Sequence, residues 1–98
     1  MLNLEDFKQY LIGKGYREFS MNNNPSTATD YPWRISKIIE KEGITLEEFS
    51  RNIQKYMELY KRNGERWALS KRSHQSYYNA VRHFYKFVLI SRFGGLNA

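Results

Sequence analysis

Basic and amide side chains recur about once per helical turn in the segment that runs from Ser70 to Phe87, and those on the side away from its apolar stripe are Arg72, Gln75, Asn79, Arg82, His83 and Lys86. Because an α-helix has 3.6 residues per turn, this spacing places them on one helix face. The face contains no acidic residue. Asn and Gln can bind adenine through paired hydrogen bonds, Arg reads guanine, and Arg or Lys holds phosphate. Since an α-helix fits the major groove of B-DNA, the pattern favours a DNA-recognition helix over a plain solvated face.

Other basic residues flank this face. Lys71 and His74 are expected near the start of the same helix, where backbone N–H groups favour phosphate. The preceding linker offers further candidates for holding a nucleic-acid backbone, namely Lys61, Arg62 and Arg66.

An earlier segment repeats the pattern on a smaller scale. Its side chains expected to point away from the apolar side are Trp33, Arg34, Lys37 and Lys41. For Trp33, burial beneath the asparagine-rich loop at positions 21–24 is at least as good an interpretation as functional exposure.

The charge of the chain is unevenly distributed. The net charge is +6, and residues 1–50 carry six Lys or Arg against eight Asp or Glu, a balance of −2. Residues 51–98 carry ten against two, a balance of +8. Many basic surfaces do nothing specific, but concentration in one half favours a polyanionic partner such as nucleic acid.

The residue types exclude several classes of function. There is no cysteine, and the two histidines, His74 and His83, have no acidic pair near them in sequence, so a metal site is not expected. No paired carboxylates, nucleophile–base arrangement or glycine-rich phosphate loop is present, so we expect no cofactor and no enzyme. The chain lacks an apolar run of about 20 residues and a signal-peptide core, which favours a cytoplasmic location without membrane contact.

The elements that must position these side chains are predicted to be helices in a single domain, residues 1–98. Hydrophobic residues make up 41% of the chain, and no alternating strand pattern occurs. Four helices are expected, at about 4–13, 29–42, 46–61 and 71–92. Asn3 is the expected cap of the first, Pro32 falls in the first turn of the second, and Thr45 with Glu48 forms a capping box for the third.

Apolar residues at helical spacing predict the core. The second helix contributes Tyr31, Ile35, Ile38 and Ile39; the third contributes Leu46, Phe49, Ile53, Tyr56 and Tyr60; the fourth contributes Tyr77, Val81, Phe84 and Val88, flanked by Ala80, Tyr85 and Phe87. Trp67 and Leu69 are interpreted as core residues from the linker. The outward face of the third helix mixes acids and bases, as a solvated face does. A compact all-α four-helix bundle is therefore predicted.

Three stretches resemble the core-binding domain of tyrosine recombinases, the phage-integrase family. Thr27 to Tyr31, followed by Ile35 and Ile39, resembles its opening, and ITLEEFSRNIQKYM at positions 44–57 resembles its third segment. SHQSYYNAVRHFYKFVL at positions 73–89 resembles its last helix, with a serine start, a small residue, an arginine and an aromatic pair. The resemblance covers about residues 2–92. It implies a SAM-like four-helix bundle that clamps one side of double-stranded DNA, with the second and fourth helices in the major groove.

The sequence also departs from that family. The family cleaves DNA with a separate C-terminal domain, and these 98 residues contain nothing that resembles it, so we expect no catalysis by this chain. The asparagine-rich loop and Pro32-Trp33 are not typical of the pattern. The chain is either a domain of a longer recombinase, a stand-alone protein, or a similar module of another DNA-acting enzyme. The alternative function is a protein-interaction module, such as a phage-type inhibitor of a DNA-handling enzyme.

Overall fold

The computed structural model describes residues 2–73 and 75–94, and helices dominate this part of the chain. They are α1 (Leu4–Gly13), α2 (Thr27–Glu42), α3 (Leu46–Arg51), α4 (Ile53–Tyr60), α5 (Trp67–Arg72), α6 (Ser76–Leu89) and a π-helical segment (Ile90–Gly94). Within the described ranges there is no strand, and one antiparallel bridge joins Phe19 to Pro25 in the loop before α2. The predicted all-α class is confirmed.

Two predicted helix starts are set by side-chain caps. The Asn3 Oδ1 atom accepts a hydrogen bond from the Asp6 N–H at 2.7 Å. At α3, Thr45 Oγ1 accepts from the Glu48 N–H at 3.1 Å, and the Glu48 carboxylate accepts from the Thr45 N–H at 3.1 Å. Both pairs satisfy backbone donors that the first helical turn leaves free, so the predicted cap and capping box are confirmed.

Helix α2 begins two residues earlier than predicted. The preceding segment fixes this start, because the Arg17 carbonyl accepts from the Ala28 N–H at 2.9 Å and the Glu18 carbonyl accepts from Thr29 Oγ1 at 2.8 Å. Pro32 is consequently the sixth residue of α2 rather than part of its first turn. It has no N–H to donate to the carbonyl four residues earlier. The helix ends as predicted at Gly43, which has a φ of 68°.

The predicted third helix is divided into α3 and α4. Ser50 Oγ donates to the Leu46 carbonyl at 2.8 Å, and Asn52 Nδ2 donates to the Glu48 carbonyl at 3.1 Å. Side chains that bond to the preceding turn in this way compete with the backbone ladder. The break at Asn52 lies where this competition is concentrated.

The predicted helix 71–92 starts in the wrong place. Lys71 and Arg72 lie in the last turn of α5, and α6 begins only at Ser76. Between them, Gln75 adopts a φ of 66° and its N–H donates to the Ser70 carbonyl at 2.6 Å. This left-handed residue and its hydrogen bond separate α5 from α6. Beyond Leu89 the helical conformation continues as the π-helical segment.

The core is formed mainly by the predicted apolar faces. Phe84, in the middle of α6, is fully buried, and its ring centroid lies 5.1 Å from that of Phe7 and 5.4 Å from that of Phe49. Helix α6 packs against α1, α2, α4 and α5, so it is the central element. Leu69 packs partly against this core, whereas Trp67 is half-buried and does not join it.

A polar cluster holds the ends of α2, α4 and α5 together. The Glu42 carboxylate accepts from Arg66 Nε at 3.0 Å and from the Tyr60 hydroxyl at 3.2 Å. The hydrogen bond from Arg66 is the main cause that lowers the pKa of Glu42. Burial, reinforced by the Glu42 charge, raises the pKa of Tyr60. Arg66 therefore has a structural partner, and its contact with a nucleic-acid backbone stays a prediction.

Candidate functional site

Helices α2 and α6 lie side by side. The Arg34 guanidinium of α2 is 4.8 Å from the ring centroid of Tyr77 in α6, and the rings of Tyr31 and His83 are 5.3 Å apart. In these two contacts, residue numbers rise along α2 as they fall along α6. Faces that the sequence predicted separately are thereby combined in one area, called here the α2–α6 surface.

The α6 side of this surface is basic and free of acid. Arg82 and Lys86 are exposed, and neither pairs with a carboxylate among the residues that the structure describes. The Arg82 guanidinium lies 5.8 Å from the ring centroid of Tyr78. Asn79 is partly buried, and its amide lowers the pKa of the neighbouring Tyr31 phenol, although burial raises that pKa overall. Three of the predicted α6 contacts therefore lie together, with two cations available to a ligand.

Gln75 has a different position from the predicted one. It is exposed, but it precedes α6 as the N-cap residue, and its carbonyl accepts from the Asn79 N–H at 2.8 Å. Its side chain lies at the α5 end of the surface, one turn before Asn79. Because Gln75 is not part of α6, the direction of its side chain follows from its left-handed backbone conformation and not from the helical spacing.

The α2 side is more strongly paired than expected. Arg34 Nε lies 3.3 Å from Asp30 Oδ2, and the Arg34 side chain is only 22% exposed. Lys37 Nζ lies 3.6 Å from Glu40 Oε2. Because a carboxylate neutralises each of these cations in part, they attract an external anion less than the α6 pair does. Arg34 acts mainly as a connection between α2 and α6.

Lys41 and Arg72 lie in a separate cleft between α2 and α5. This cleft is also lined by Glu42, Glu65 and Arg66. The prediction that Lys71 and Arg72 belong to a helix start is wrong, since α5 ends there, and the negative end of a helix does not favour phosphate. His74 lies outside the described residues.

Trp33 is exposed, with 49% of its surface accessible, so the asparagine-rich loop does not cover it. The Arg34 guanidinium and the Lys37 ammonium lie 5.3 Å and 5.4 Å from its ring centroid. Cations above an aromatic ring stabilise its exposed orientation. The sequence carried the signal for this arrangement, because Lys37 follows Trp33 by one helical turn.

His83 is a packing residue. Its ring contacts Tyr16 on one side, at 5.3 Å and nearly perpendicular, and Tyr31 on the other. Burial, with smaller contributions from Lys86 and Arg82, lowers the pKa of His83. The imidazole is therefore uncharged at neutral pH and adds no positive charge to the surface.

The described residues contain no group of three or more His, Cys, Asp or Glu side chains arranged to hold a metal ion. Across these same ranges, no helix combines the length and the apolar character needed to cross a membrane. The chain matches no protein-family model, no curated protein and no solved structure. The physical properties of the α2–α6 surface are consequently the basis for assigning a function.

Proposed function

We propose that this chain is a double-stranded DNA-binding module, with the α2–α6 surface as its interface. The observation that carries the proposal is the adjacency of α2 and α6, because it places Arg82 and Lys86, which pair with no carboxylate among the described residues, beside the cations of α2. Phosphate contacts supply most of the affinity for DNA, and they require cations without competing carboxylates. Arg82 and Lys86 meet that requirement.

The resemblance to the core-binding domain of tyrosine recombinases belongs to this proposal. Within it, the six helices are a variant of the SAM-like four-helix bundle, in which α3 with α4 and α5 with α6 correspond to single helices of that pattern. The role would be DNA binding during integration or recombination, in the cytoplasm, with the chemistry performed by another domain or protein. The adjacency of α2 and α6 supports this part of the proposal, because the resemblance assigns the second and last helices to the major groove.

The α6 residues are assigned different roles. Asn79 and Arg82 lie one turn apart at the centre of α6 and are assigned to base edges. Lys86, one further turn along, is assigned to phosphate. On α2, Lys37 is assigned to phosphate, while Arg34 keeps its place between Asp30 and Tyr77.

The test is a fluorescence anisotropy titration of a labelled duplex of random sequence at two salt concentrations. Replacement of Lys86 by Gln should weaken binding to all duplexes about equally and lower the slope of log affinity against log salt by about 1. Replacement of Arg82 by Ala should cost about 1–3 kcal/mol on a selected preferred site and little on random DNA. If wild-type affinity does not depend on salt, the proposal is wrong.

One observation favours the alternative, a protein-interaction module. Trp33 is exposed at 49% and stands between two cations, and Trp and Arg are the residue types most enriched at the energetic centres of protein interfaces. In that case Trp33→Ala would abolish partner binding, and Lys86→Gln would have little effect. A salt-insensitive interaction that depends on Trp33 would therefore select this function.

A further inference from the structure

A small pocket lies beside α6, near the end of that helix that is remote from α5. Its walls come from the last turns of α1, the segment that follows α1, and α6. The lining residues are Tyr10, Lys14, Tyr16, His83 and Lys86. The pocket adjoins the α2–α6 surface through Lys86, one turn beyond Arg82.

The pocket has the electrostatic character of an anion site. Lys14 and Lys86 are both exposed, and within the described part of the chain neither forms an ion pair. None of its lining residues is acidic. The pocket lies at the C-terminal end of α1, where the helix dipole is negative, so its attraction for an anion comes from the two ammonium groups. The carbonyls at positions 10–12 accept hydrogen bonds from the N–H groups of residues 14–16 and are therefore not free acceptors.

An aromatic ring lies beside Lys14, and the other aromatic residues of the pocket carry groups that can donate hydrogen bonds. The Lys14 ammonium lies 5.7 Å from the Tyr10 ring centroid, and Tyr16 stands edge-on against His83. His83 is in turn backed by Tyr31. A phenol hydroxyl donates to a phosphate oxygen, and an uncharged imidazole has one N–H to donate. The pocket thus combines two positive charges with neutral donors.

We infer that this pocket binds a backbone phosphate group of DNA between the ammonium groups of Lys14 and Lys86. The inference rests on the proposed DNA-binding function and extends the interface to α1. It favours a phosphate of the DNA backbone over a free anion because Lys86 lines the pocket and lies one turn along α6 from Arg82, which is assigned to a base edge. A backbone phosphate and a base edge of one duplex would then occupy these adjacent positions.

The chain offers a matched control for the test. Lys55, on α4, is also exposed and also lies over a tyrosine ring, 5.6 Å from the Tyr56 centroid. Lys14→Gln and Lys55→Gln therefore make the same change of charge in similar local settings. Circular dichroism melting of both variants checks that the fold is retained.

Duplex affinity is measured by fluorescence anisotropy over a series of salt concentrations. We expect Lys14→Gln to weaken binding several-fold at low salt and to lower the salt slope by about 0.9, the value for one phosphate contact. Lys55→Gln should leave the slope unchanged. Equal effects of the two substitutions would mean diffuse attraction and would overturn the inference.

Two further outcomes separate this inference from the proposed function. If Lys37→Gln lowers the slope but Lys14→Gln does not, the pocket takes no phosphate, while the DNA-binding function stands. If the wild-type protein binds no duplex, both fail together. Inorganic phosphate and thymidine monophosphate are the competitors that test the source of the anion. If either competitor displaces the labelled duplex as effectively as unlabelled duplex does, at equal concentrations of phosphate groups, the pocket is a free-anion site and the inference is overturned.

Discussion

Gly64 joins α4 to α5 at a point where no side chain fits. A Cβ atom at this position would lie 2.5 Å from the Leu59 carbonyl oxygen and closer still to that of Glu58. Both are backbone atoms at the end of α4, so neither can rotate away as a flexible side chain would. Contacts of Cβ atoms below 3.0 Å essentially do not occur, so the loop would have to move by at least the 0.5 Å difference between 3.0 and 2.5 Å.

That movement determines the expected cost of Gly64→Ala. The Gly64 N–H donates to the Lys61 carbonyl at 2.9 Å, and the Arg66 N–H donates to the Leu59 carbonyl at 2.7 Å. A shift of the loop strains both bonds and displaces Arg66 from Glu42. Overpacking of this kind typically costs about 1–3 kcal/mol. In a domain of this size we expect the melting temperature to fall by about 5–20 °C, since each kcal/mol corresponds to about 4–8 °C.

The assay is thermal unfolding followed by circular dichroism, with Gly13→Ala as the control. A Cβ at Gly13 meets nothing within 4 Å, and Gly13 is the last residue of α1. Alanine has a higher helix propensity than glycine, which can stabilise the fold by up to about 1 kcal/mol. The melting temperature of Gly13→Ala should therefore be unchanged or higher. If the melting temperature of Gly64→Ala equals or exceeds that of the wild type, the close approach of Gly64 to the end of α4 does not exclude a side chain at this position.

Three other substitutions test separate parts of the fold. Phe84→Ala should destabilise the domain by about 3–5 kcal/mol, as measured by urea unfolding, because it empties the centre of the aromatic core; normal stability with lost ligand binding would mean that this face is an interface. Thr45→Ala should cost about 0.5–2 kcal/mol through the lost N-cap, and an unchanged melting point would place the start of α3 elsewhere. Glu42, whose pKa lies below its ordinary value of 4.5, should stabilise the fold fully above pH 4.5 and lose that contribution as the pH falls through its lowered pKa. The free energy of unfolding should therefore be larger for the wild type than for Glu42→Gln at pH 7, and this difference should shrink at pH 3. A difference that does not depend on pH would contradict a stabilising role for the pairing of Glu42 with Arg66.

The helices themselves were predictable where a local signal specified them. Asn3 and Thr45 mark starts because their side chains satisfy donors of the next turn, and Gly43 marks an end because it tolerates a left-handed conformation. The breaks at Asn52 and at Gln75 were missed. Neither residue is a glycine or proline, the usual local signals for a helix break. Each break depends instead on side-chain hydrogen bonds and tertiary contacts, which the spacing of apolar residues does not reveal.

The candidate site was predicted in part for a similar reason. Helical spacing correctly placed Asn79, Arg82 and Lys86 together because they share one uninterrupted helix. Arg72 was misplaced because it belongs to α5, which ends before α6 begins. The pairing of Arg34 with Asp30 was visible as a four-residue spacing, whereas the packing of Arg34 on Tyr77 required knowledge of which helices are neighbours. The pocket beside Lys14 joins residues from distant positions and has no sequence signature.

The exposure of Trp33 has a spectroscopic consequence. The chain has two tryptophans, and the other, Trp67, is half-buried in α5. Iodide should reach the indole of Trp33 more readily than that of Trp67, because 49% of the Trp33 surface is accessible. Collisional quenching by iodide therefore reports on one tryptophan preferentially. A ligand that covers α2 would shield that emission from iodide, so the protein contains an intrinsic fluorescent probe at the edge of its own candidate interface.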